Sequence, residues 1–458
     1  MTTENPTASA LNEFGKYSEA LTNIIYNLLI ANPDLLKQYE SQPFQYQELD
    51  DFSYGLKGPE YTGASFRSTE KRTWIRTSLL VSKAISQSPD YLECEKYLQD
   101  RFGHIYTHSW FGQYLHQLIE IICATPNASN SLAIDALNTK LIRSLSGSEL
   151  PTSITIELDG LILESREIIL EEGIILRQTQ KSDFEKPIEP LKGDFFGSPR
   201  PTAILELKGV CKRGETGDLS KKAQTILYQL TLFFTCSVQS VLEEMEQESI
   251  TKAKSAGFSG TRRIRNFAPQ TILATDEKQL ICFLQTLEIP PHLLSSGNEH
   301  QDYLSTAFDR YRDALTEDVV FERRVATAVM GIEALLSSEK QELSFRIQTR
   351  TARLLSLFDQ SSALEIRSFL ATAYGVRSHY AHGGFLTKRE KDKIIRAFGD
   401  LSVYARNIIG LLRKLIVIFI AIKADKTQLL SLIDDSLIDE DSLTKLKLYT
   451  VDATIFYR

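Results

Sequence analysis

Apolar residues recur at every third or fourth position through most of the segment from residue 300 to residue 424. Such a period places apolar side chains along one face of a helix, and that face must be buried against another element. The pattern is carried by Val325, Val329, Ile332 and Leu336 and later by Ile394, Phe398, Leu401, Ala405 and Ile408. Four or five helices of this kind in about 125 residues predict an antiparallel helical bundle.

The pattern changes at about residue 150, and a chain of 458 residues is long enough for two or three domains. Residues 1–150 are predicted to form a mostly helical region with a long loop over residues 42–67. Residues 151–299 contain short runs that alternate between apolar and polar, which predicts a sheet-containing α+β domain. A sensing or regulatory role is expected for it only because so much of the chain lies outside the predicted bundle. Residues 425–458 are interpreted as a C-terminal tail, and the predicted fold class is mainly α.

Short alternating runs mark the expected strands of the middle domain. These strands are predicted at residues 154–158, 161–163, 167–170, 174–177 and 203–207. Asp159 and Gly160 lie between the first two runs, and an Asp-Gly pair in this position is typical of a β-hairpin. A helix of about 16 residues is expected from Ser220, and residues 238–247 fit either a strand or a helix.

Composition favours a protein of the reducing cytoplasm without a membrane partner. The five cysteines are odd in number and lack a CxxC pair, so neither a disulfide framework nor a structural zinc site is predicted. Residues 1–10 show no signal-peptide pattern, and the most apolar run, residues 415–422, is shorter than the roughly 20 residues that span a bilayer. Because the net charge is −7, RNA binding would need a local basic surface.

The segment of residues 374–384, YGVRSHYAHGG, combines residue types suited to phosphate chemistry. Arg377 is a permanent cation whose planar donors match phosphate oxygens, and His382 can transfer a proton near neutral pH. A base can take the proton of an RNA 2′-hydroxyl, and the oxygen then attacks the neighbouring phosphorus. The guanidinium would stabilise the developing charge, so the pair suits metal-free cleavage to a 2′,3′-cyclic phosphate and a 5′-hydroxyl.

The spacing of the two residues leaves their arrangement open. Five residues along a regular helix turn about 140° and rise about 7.5 Å, so the side chains do not lie together. Either the helix loosens near Gly383 and Gly384, or a second copy of the chain completes the site across a two-fold axis. A purely structural interpretation also fits, in which Arg377 pairs with an acid such as Glu333 and His382 caps the helix C-terminus.

The same segment resembles the signature of the HEPN superfamily, and within it the Apea-like branch. HEPN proteins carry an R-x4-H motif, often with Ser or Asn after the Arg and Gly after the His, as at Arg377, Ser378, His382 and Gly383. The upstream residues 328–336, AVMGIEALL, are similar to another helix of the family, and Arg350 falls where the next helix has a recurring arginine. The resemblance covers roughly residues 300–424, about a quarter of the chain.

The resemblance implies an all-helical bundle, a homodimer and metal-independent endoribonuclease activity without a cofactor. It assigns catalysis to Arg377 and His382, with Glu333, Ser378 and Tyr374 as supporting residues. HEPN proteins commonly act as bacterial toxins or antiviral, abortive-infection effectors. Expected partners are therefore RNA, such as tRNA, a second copy of the chain, and a viral trigger or an antitoxin protein. The alternative is a HEPN adaptor that binds RNA or a nucleotide without cutting it.

Two basic stretches are predicted RNA contacts. They comprise Lys388, Arg389 and Lys391 after the motif, and Arg262, Arg263 and Arg265 in the middle domain. Such cations bind a phosphate backbone with an affinity that falls as salt rises. A solvated protein surface explains the same residues, and both interpretations stay open. His104, His108 and His116 lack a matching carboxylate spacing, so no metal site is predicted.

Overall fold

The computed structural model describes the whole chain except residues 1–5, 38, 49–50, 56, 63–64, 126–129, 148, 186, 189–200, 213–216, 237, 251–252, 259–268, 295–301, 317–319, 338–342, 359–360, 424 and 458. Three hydrophobic cores follow one another along the described chain: one among N-terminal helices, one against a sheet and one in a C-terminal helical bundle. The chain is therefore mainly helical with a mixed middle region, as predicted at that level.

Within the described residues, five helices enclose the N-terminal core. They are α1 (Pro6–Ala31), α2 (Ile75–Ile85), α3 (Pro89–Phe102), α4 (His104–Ala124) and α5 (Ser131–Leu145). Apolar residues at helical spacing, such as Leu21 and Ile25 of α1 and Leu118 of α4, are fully buried there. The hydroxyl of Tyr114 donates to Asn138 Oδ1 at 2.7 Å, so the polar group inside this core is satisfied.

Four strands occupy the segment that the sequence predicts as a loop at residues 42–67, so that prediction is wrong. The strands are β1 (Glu40–Glu48), β2 (Asp51–Gly55), β3 (Gly58–Thr62) and β4 (Ser65–Thr73). β1 pairs with β4 along its whole length, and β2 pairs with β3 across a turn where Gly58 has a φ of 92°. The segment is polar, so it lacks the apolar alternation from which strands are predicted. Its strands form nonetheless, because cross-strand backbone hydrogen bonds do not require apolar side chains.

Among its described residues, the middle region combines nine strands with four helices. The strands are β5 (Leu150–Asp159), β6 (Leu161–Leu163), β7 (Glu167–Glu171), β8 (Ile174–Gln178), β9 (Pro187–Ile188), β10 (Ala203–Cys211), β11 (Gln239–Gln247), β12 (Ala253–Phe258) and β13 (Gln270–Ile272). The helices are α6 (Lys181–Phe184), α7 (Gly217–Phe233), α8 (Glu277–Thr286) and α9 (Pro291–Leu294). The five predicted strands and the predicted helix near Ser220 are confirmed, and residues 238–247 form a strand.

Six of these strands form one antiparallel sheet in the order β12-β11-β5-β10-β8-β7. Its inward side chains, such as Ile154 and Leu205, share a buried core with Ile226 of α7 and Leu280 of α8. The sheet therefore rests on the two helices that lead toward the C-terminal bundle.

The hairpin predicted at Asp159 and Gly160 is wrong. β5 pairs with β10 and β11, whereas β6 pairs in parallel with β13 outside the six-stranded sheet. Gly160, with a φ of 94°, instead turns the chain out of that sheet. A hairpin does join β7 to β8, and Gly173 with a φ of 77° lies in its turn.

Eight helices form the C-terminal bundle in the part of the chain that the structure describes. They are α10 (Tyr303–Thr316), α11 (Phe321–Leu336), α12 (Leu343–Leu355), α13 (Ala363–Ala381), α14 (Lys388–Phe398), α15 (Leu401–Ala421), α16 (Lys426–Asp435) and α17 (Glu440–Tyr449). α11 is buried on several sides because it packs against α10, α13 and α15. In the described part of the chain, no helix combines the length and apolarity needed to cross a membrane.

The residues interpreted as a C-terminal tail belong to the bundle. Leu429 and Ile433 of α16 and Leu446 of α17 are fully buried in the same core as α11 and α15. The core also includes Leu232 and Phe283 from the middle region. Apolar residues in 425–458 therefore pack against the bundle, and the hydrophobic core extends beyond both ends of residues 300–424.

Arg350 fixes α16 to the bundle. Its guanidinium donates from Nε to Asp434 Oδ1 at 2.8 Å and from Nη2 to Asp434 Oδ2 at 2.5 Å. A third bond runs from Nη1 to the carbonyl of Leu336 at 2.7 Å. The Arg350 side chain is only 4% exposed, so its charge depends on this carboxylate. The arginine singled out by the HEPN resemblance thus has a structural role here.

Replacing Asp434 with alanine should destabilise the protein by about 3 kcal/mol, because a buried guanidinium loses its counter-ion. Asp435→Ala is the matched control, since Asp435 is exposed and belongs to the same last turn of α16. Urea unfolding followed by circular dichroism measures both. Equal midpoints for the two variants would show that the Arg350 contact contributes nothing to stability.

Candidate active site at the C-terminal end of α13

α13 is the helix that carries the Arg–His motif, and both of its ends are defined by specific caps. At its start, the Ser362 hydroxyl accepts from the Glu365 backbone N–H, and the Glu365 carboxylate accepts from the Ser362 backbone N–H. Ile366, Leu370 and Ala373 recur at helical spacing and face the bundle core. This buried face determines the direction in which Arg377 and His382 extend from the helix.

Arg377 forms an ion pair with Glu333 of α11. Nη2 of Arg377 lies 3.3 Å from Oε2 of Glu333, and the two side chains are 26% and 14% exposed. Nε of Arg377 is buried and makes no hydrogen bond within the described chain. The guanidinium is therefore held from one side while a quarter of the side chain stays in contact with solvent.

Tyr374 binds the other oxygen of the Glu333 carboxylate. Its hydroxyl donates to Glu333 Oε1 at 2.5 Å, and its ring lies 5.8 Å from Cζ of Arg377. Burial raises the pKa of Tyr374 well above its ordinary value, and the hydrogen bond to the glutamate carboxylate raises it further. Tyr374 therefore remains a neutral donor, and Glu333 joins α11 to two residues of α13.

His382 is the C-cap residue of α13, as the structural interpretation expected. The N–H of Gly384 donates to the His379 carbonyl at 2.9 Å, and the N–H of Gly383 donates to the Tyr380 carbonyl at 3.0 Å. These two bonds form a Schellman motif, and Gly383 adopts the left-handed φ of 78° that the motif requires. The His382 side chain is exposed, and its ring makes no hydrogen bond within the described residues.

α13 remains helical through Ala381, so the helix does not loosen between Arg377 and His382. The regular helix ends there, because His382 is the C-cap residue with a φ of −90° and a ψ of 14°, and Gly383 turns the chain away from the axis. On a regular helix, five positions correspond to about 140° around the axis, so the spacing alone directs the two side chains apart. The helix thus ends close to Gly383 and Gly384, and both arrangements suggested by the sequence stay predictions.

The other two polar residues of the motif differ in their surroundings. Ser378 is partly buried, and its carbonyl accepts the His382 N–H at 3.2 Å. His379 is 49% exposed, and its Nε2 lies 3.5 Å from Oε1 of Glu390 in the first turn of α14. His379 therefore contacts α14, whereas His382 extends into solvent.

Glu322 fixes the segment that follows His382, and the sequence analysis missed it. Although it lies in the first turn of α11, its side chain is only 1% exposed. Its Oε1 accepts the Leu386 N–H at 3.2 Å and lies 2.8 Å from Nζ of Lys391. Acids are common in the first turn of a helix, so nothing in the sequence distinguishes this one.

The predicted RNA contacts on α14 separate into two groups. Lys391 is engaged with buried Glu322, whereas Lys388 and Arg389 are exposed. Lys393 and Arg396 are also exposed and extend this cationic face along the helix. The other three predicted contacts, Arg262, Arg263 and Arg265, lie outside the described residues.

Metal-binding geometry is absent from the described part of the chain, where no group of three or more His, Cys, Asp or Glu side chains could hold an ion. His108 instead pairs with Glu95 through Nδ1 at 2.5 Å, and His116 contacts the Ser78 hydroxyl. These two histidines therefore have local partners of their own.

Glu322→Gln should lower the stability at pH 7 by about 2 kcal/mol, because the Lys391 ion pair is lost. Burial raises the pKa of Glu322, but the hydrogen bonds from Lys391 and the backbone outweigh it, and the net pKa is lowered. The carboxylate therefore stabilises the fold above the pKa of the unfolded chain and loses this effect as the pH falls through its folded pKa.

The difference between wild type and Glu322→Gln should accordingly disappear in acid, as measured by urea unfolding between neutral pH and the acid limit of folding. Glu440→Gln is the control, because Glu440 is an exposed first-turn acid of α17. A stability difference that persists unchanged in acid would contradict this role of the Glu322 charge.

Comparison with known proteins adds no assignment to this geometry. No family model, curated protein or solved structure matches the chain.

Proposed function

We propose that the protein is a metal-independent endoribonuclease of the HEPN type, which uses the RNA 2′-hydroxyl as nucleophile. The observation that carries this proposal is the C-terminal end of α13. There an arginine is paired with Glu333, which also binds Tyr374, and an exposed histidine follows the arginine by five residues. A fixed cation and an accessible imidazole are the two groups that RNA cleavage by 2′-oxygen attack requires.

His382 transfers protons in the proposed reaction. As a base it takes the proton of the 2′-hydroxyl, and as an acid it protonates the departing 5′-oxygen. Arg377 stabilises the charge that develops on the phosphate oxygens. Glu333 and Tyr374 are positioning residues, since they hold the guanidinium from the protein side and leave its other side to the substrate.

The proposed active form is a homodimer. Because Arg377 and His382 diverge around α13, a two-fold axis near the helix end would bring the arginine of one copy toward the histidine of the other. We propose a bacterial toxin or antiviral effector in which the N-terminal two-thirds senses a trigger or restrains cleavage. A viral component or an antitoxin protein would act on that region.

A specific observation favours the non-catalytic alternative as well. Arg377 is already paired with a carboxylate, and the exposed cations Lys388, Arg389, Lys393 and Arg396 offer a surface for a phosphate backbone. A HEPN adaptor that binds RNA or a nucleotide would use these groups without proton transfer. Cleavage assays on matched variants separate the two functions.

Arg377→Ala and His382→Ala should each lower the rate of RNA cleavage by about 100-fold or more, since each removes a group that acts on the reacting atoms. Purified protein is incubated with total RNA in EDTA, and cyclic-phosphate ends are quantified. His379→Ala and Arg367→Ala are the matched controls, because both residues are exposed on α13 and have other contacts. Cleavage that persists in both test variants would place the active site elsewhere.

Mixing the two inactive variants tests the two-fold site. In a mixed dimer, the copy that keeps Arg377 faces the copy that keeps His382, so one composite site is intact. After denaturation and refolding together, about a quarter of the wild-type activity should return, because half of the dimers are mixed and each has one of two sites. No recovery, with mixed dimers shown by differential tagging, would contradict a site shared between copies.

A further inference from the structure

A cavity of about 700 Å³ opens between the C-terminal bundle and the middle region. Its walls come from the segment after α7, the start of β13, the first turns of α13, the end of α14 and one face of α15. Its size is that of sites for small molecules, which are often found between domains. The α13 wall begins at Glu365, which lies about 25 Å along the helix from His382, so this cavity is separate from the proposed active site.

Positive charge predominates in the cavity. Arg406, Arg413 and Lys414 of α15 line it, and Glu365 is the one acid among the lining residues that the structure describes. The carboxylate of Glu365 already accepts two hydrogen bonds from Ser362, at 2.8 Å from the backbone N–H and 2.9 Å from the hydroxyl. The cavity therefore favours an anionic ligand.

Arg413 is held in a fixed position at one end of the cavity. Its Nη1 donates to the carbonyls of Leu232 and Phe233 at 2.7 and 2.9 Å. Its Nε is buried and has no hydrogen-bond partner within the described chain. Because the guanidinium is fixed before any ligand arrives, it can bind an oxyanion without first losing side-chain freedom.

Aromatic rings form the other part of the lining. Phe369 of α13 and Phe398 of α14 contact each other at 5.1 Å between ring centroids, and both lie against Tyr404. Tyr404 and Arg413 are nine positions apart on α15, which corresponds to about 13 Å along the helix. Arg406 lies within one helical turn of Tyr404, and Phe233 and Phe234 line the cavity beside Arg413, so aromatic rings and cations both occur along its length.

We propose that this cavity binds a nucleoside phosphate, with its base against Phe369 and Phe398 and its phosphates at Arg406, Arg413 and Lys414. Aromatic side chains stack on bases whatever the sequence, and guanidinium groups bind phosphate oxygens in pairs. The amides of Asn407 and Gln270 also line the cavity and supply polar contacts. This site is independent of the proposed nuclease, since it shares no residue with the Arg377 and His382 pair.

Isothermal titration calorimetry in EDTA with ATP, GTP, CTP and UTP, each with the full chain, tests the proposal. At least one nucleotide should bind saturably. The corresponding nucleoside and inorganic tripolyphosphate should each bind with an affinity at least about tenfold lower. Arg406→Gln combined with Lys414→Gln should weaken nucleotide binding by about tenfold or more. Gly410→Leu should also weaken binding, without removing a charge, because its side chain would occupy part of the cavity. Gly410 lines the cavity, and a Cβ added to it would lie 3.4 Å from Thr235 Oγ1.

Lys445→Gln combined with Lys447→Gln is the matched control, since it removes two exposed cations of α17 that do not line the cavity. Its binding should equal that of the wild type. The proposal is overturned if none of the four nucleotides binds, or if both cavity variants bind as the wild type does. Equal affinity for tripolyphosphate would reduce the site to an anion site. Tighter binding of a short single-stranded RNA, lost in the cavity variants, would reassign the cavity to RNA.

Discussion

The close approach of α11 to α15 at Gly331 is the constraint on which the bundle and its candidate site depend. A Cβ on Gly331 would lie 2.6 Å from Cδ2 of buried Leu412 and 3.2 Å from Cβ of Arg310. Glu333 follows two residues later, about 200° around the helix, and therefore faces α13. The positions of Arg377 and Tyr374, which both bind Glu333, thus follow from how closely α11 packs against α15.

The residues of the Arg–His motif are explained by different physical roles. Gly383 and Gly384 close a Schellman motif, so their presence follows from the end of a helix whether or not the protein cuts RNA. Arg377 stabilises the packing of α13 on α11 through Glu333, although part of the side chain remains exposed. His382 is different, because its side chain is exposed and makes no hydrogen bond within the described residues. The chemical case therefore depends more on the histidine than on the arginine.

Local periodicity predicted the elements well and their partners poorly. The helices of residues 300–424 and the strands of the middle region have apolar patterns that a single chain segment reveals. The pairing of β5 with β10 and β11, in place of β6, depends on residues far apart in sequence, so the Asp159–Gly160 turn was misinterpreted. Glu333 was identified as the partner of Arg377, but the cation-lined cavity draws on five separate segments, and no local pattern indicates it.

Large exposed apolar side chains belong to α11, which packs against α13, and to the segment that follows α13. Met330 of α11, Phe385 after the Gly-Gly turn and Ile395 of α14 are 37%, 61% and 43% exposed. Met330 lies one helical turn before Glu333, and Phe385 follows His382 by three residues, so apolar side chains flank both members of the pair. A contiguous patch of large apolar residues beside charged ones would be typical of a surface that a partner covers. A second copy placed there would bury these side chains and supply the histidine that one chain directs away from its own arginine.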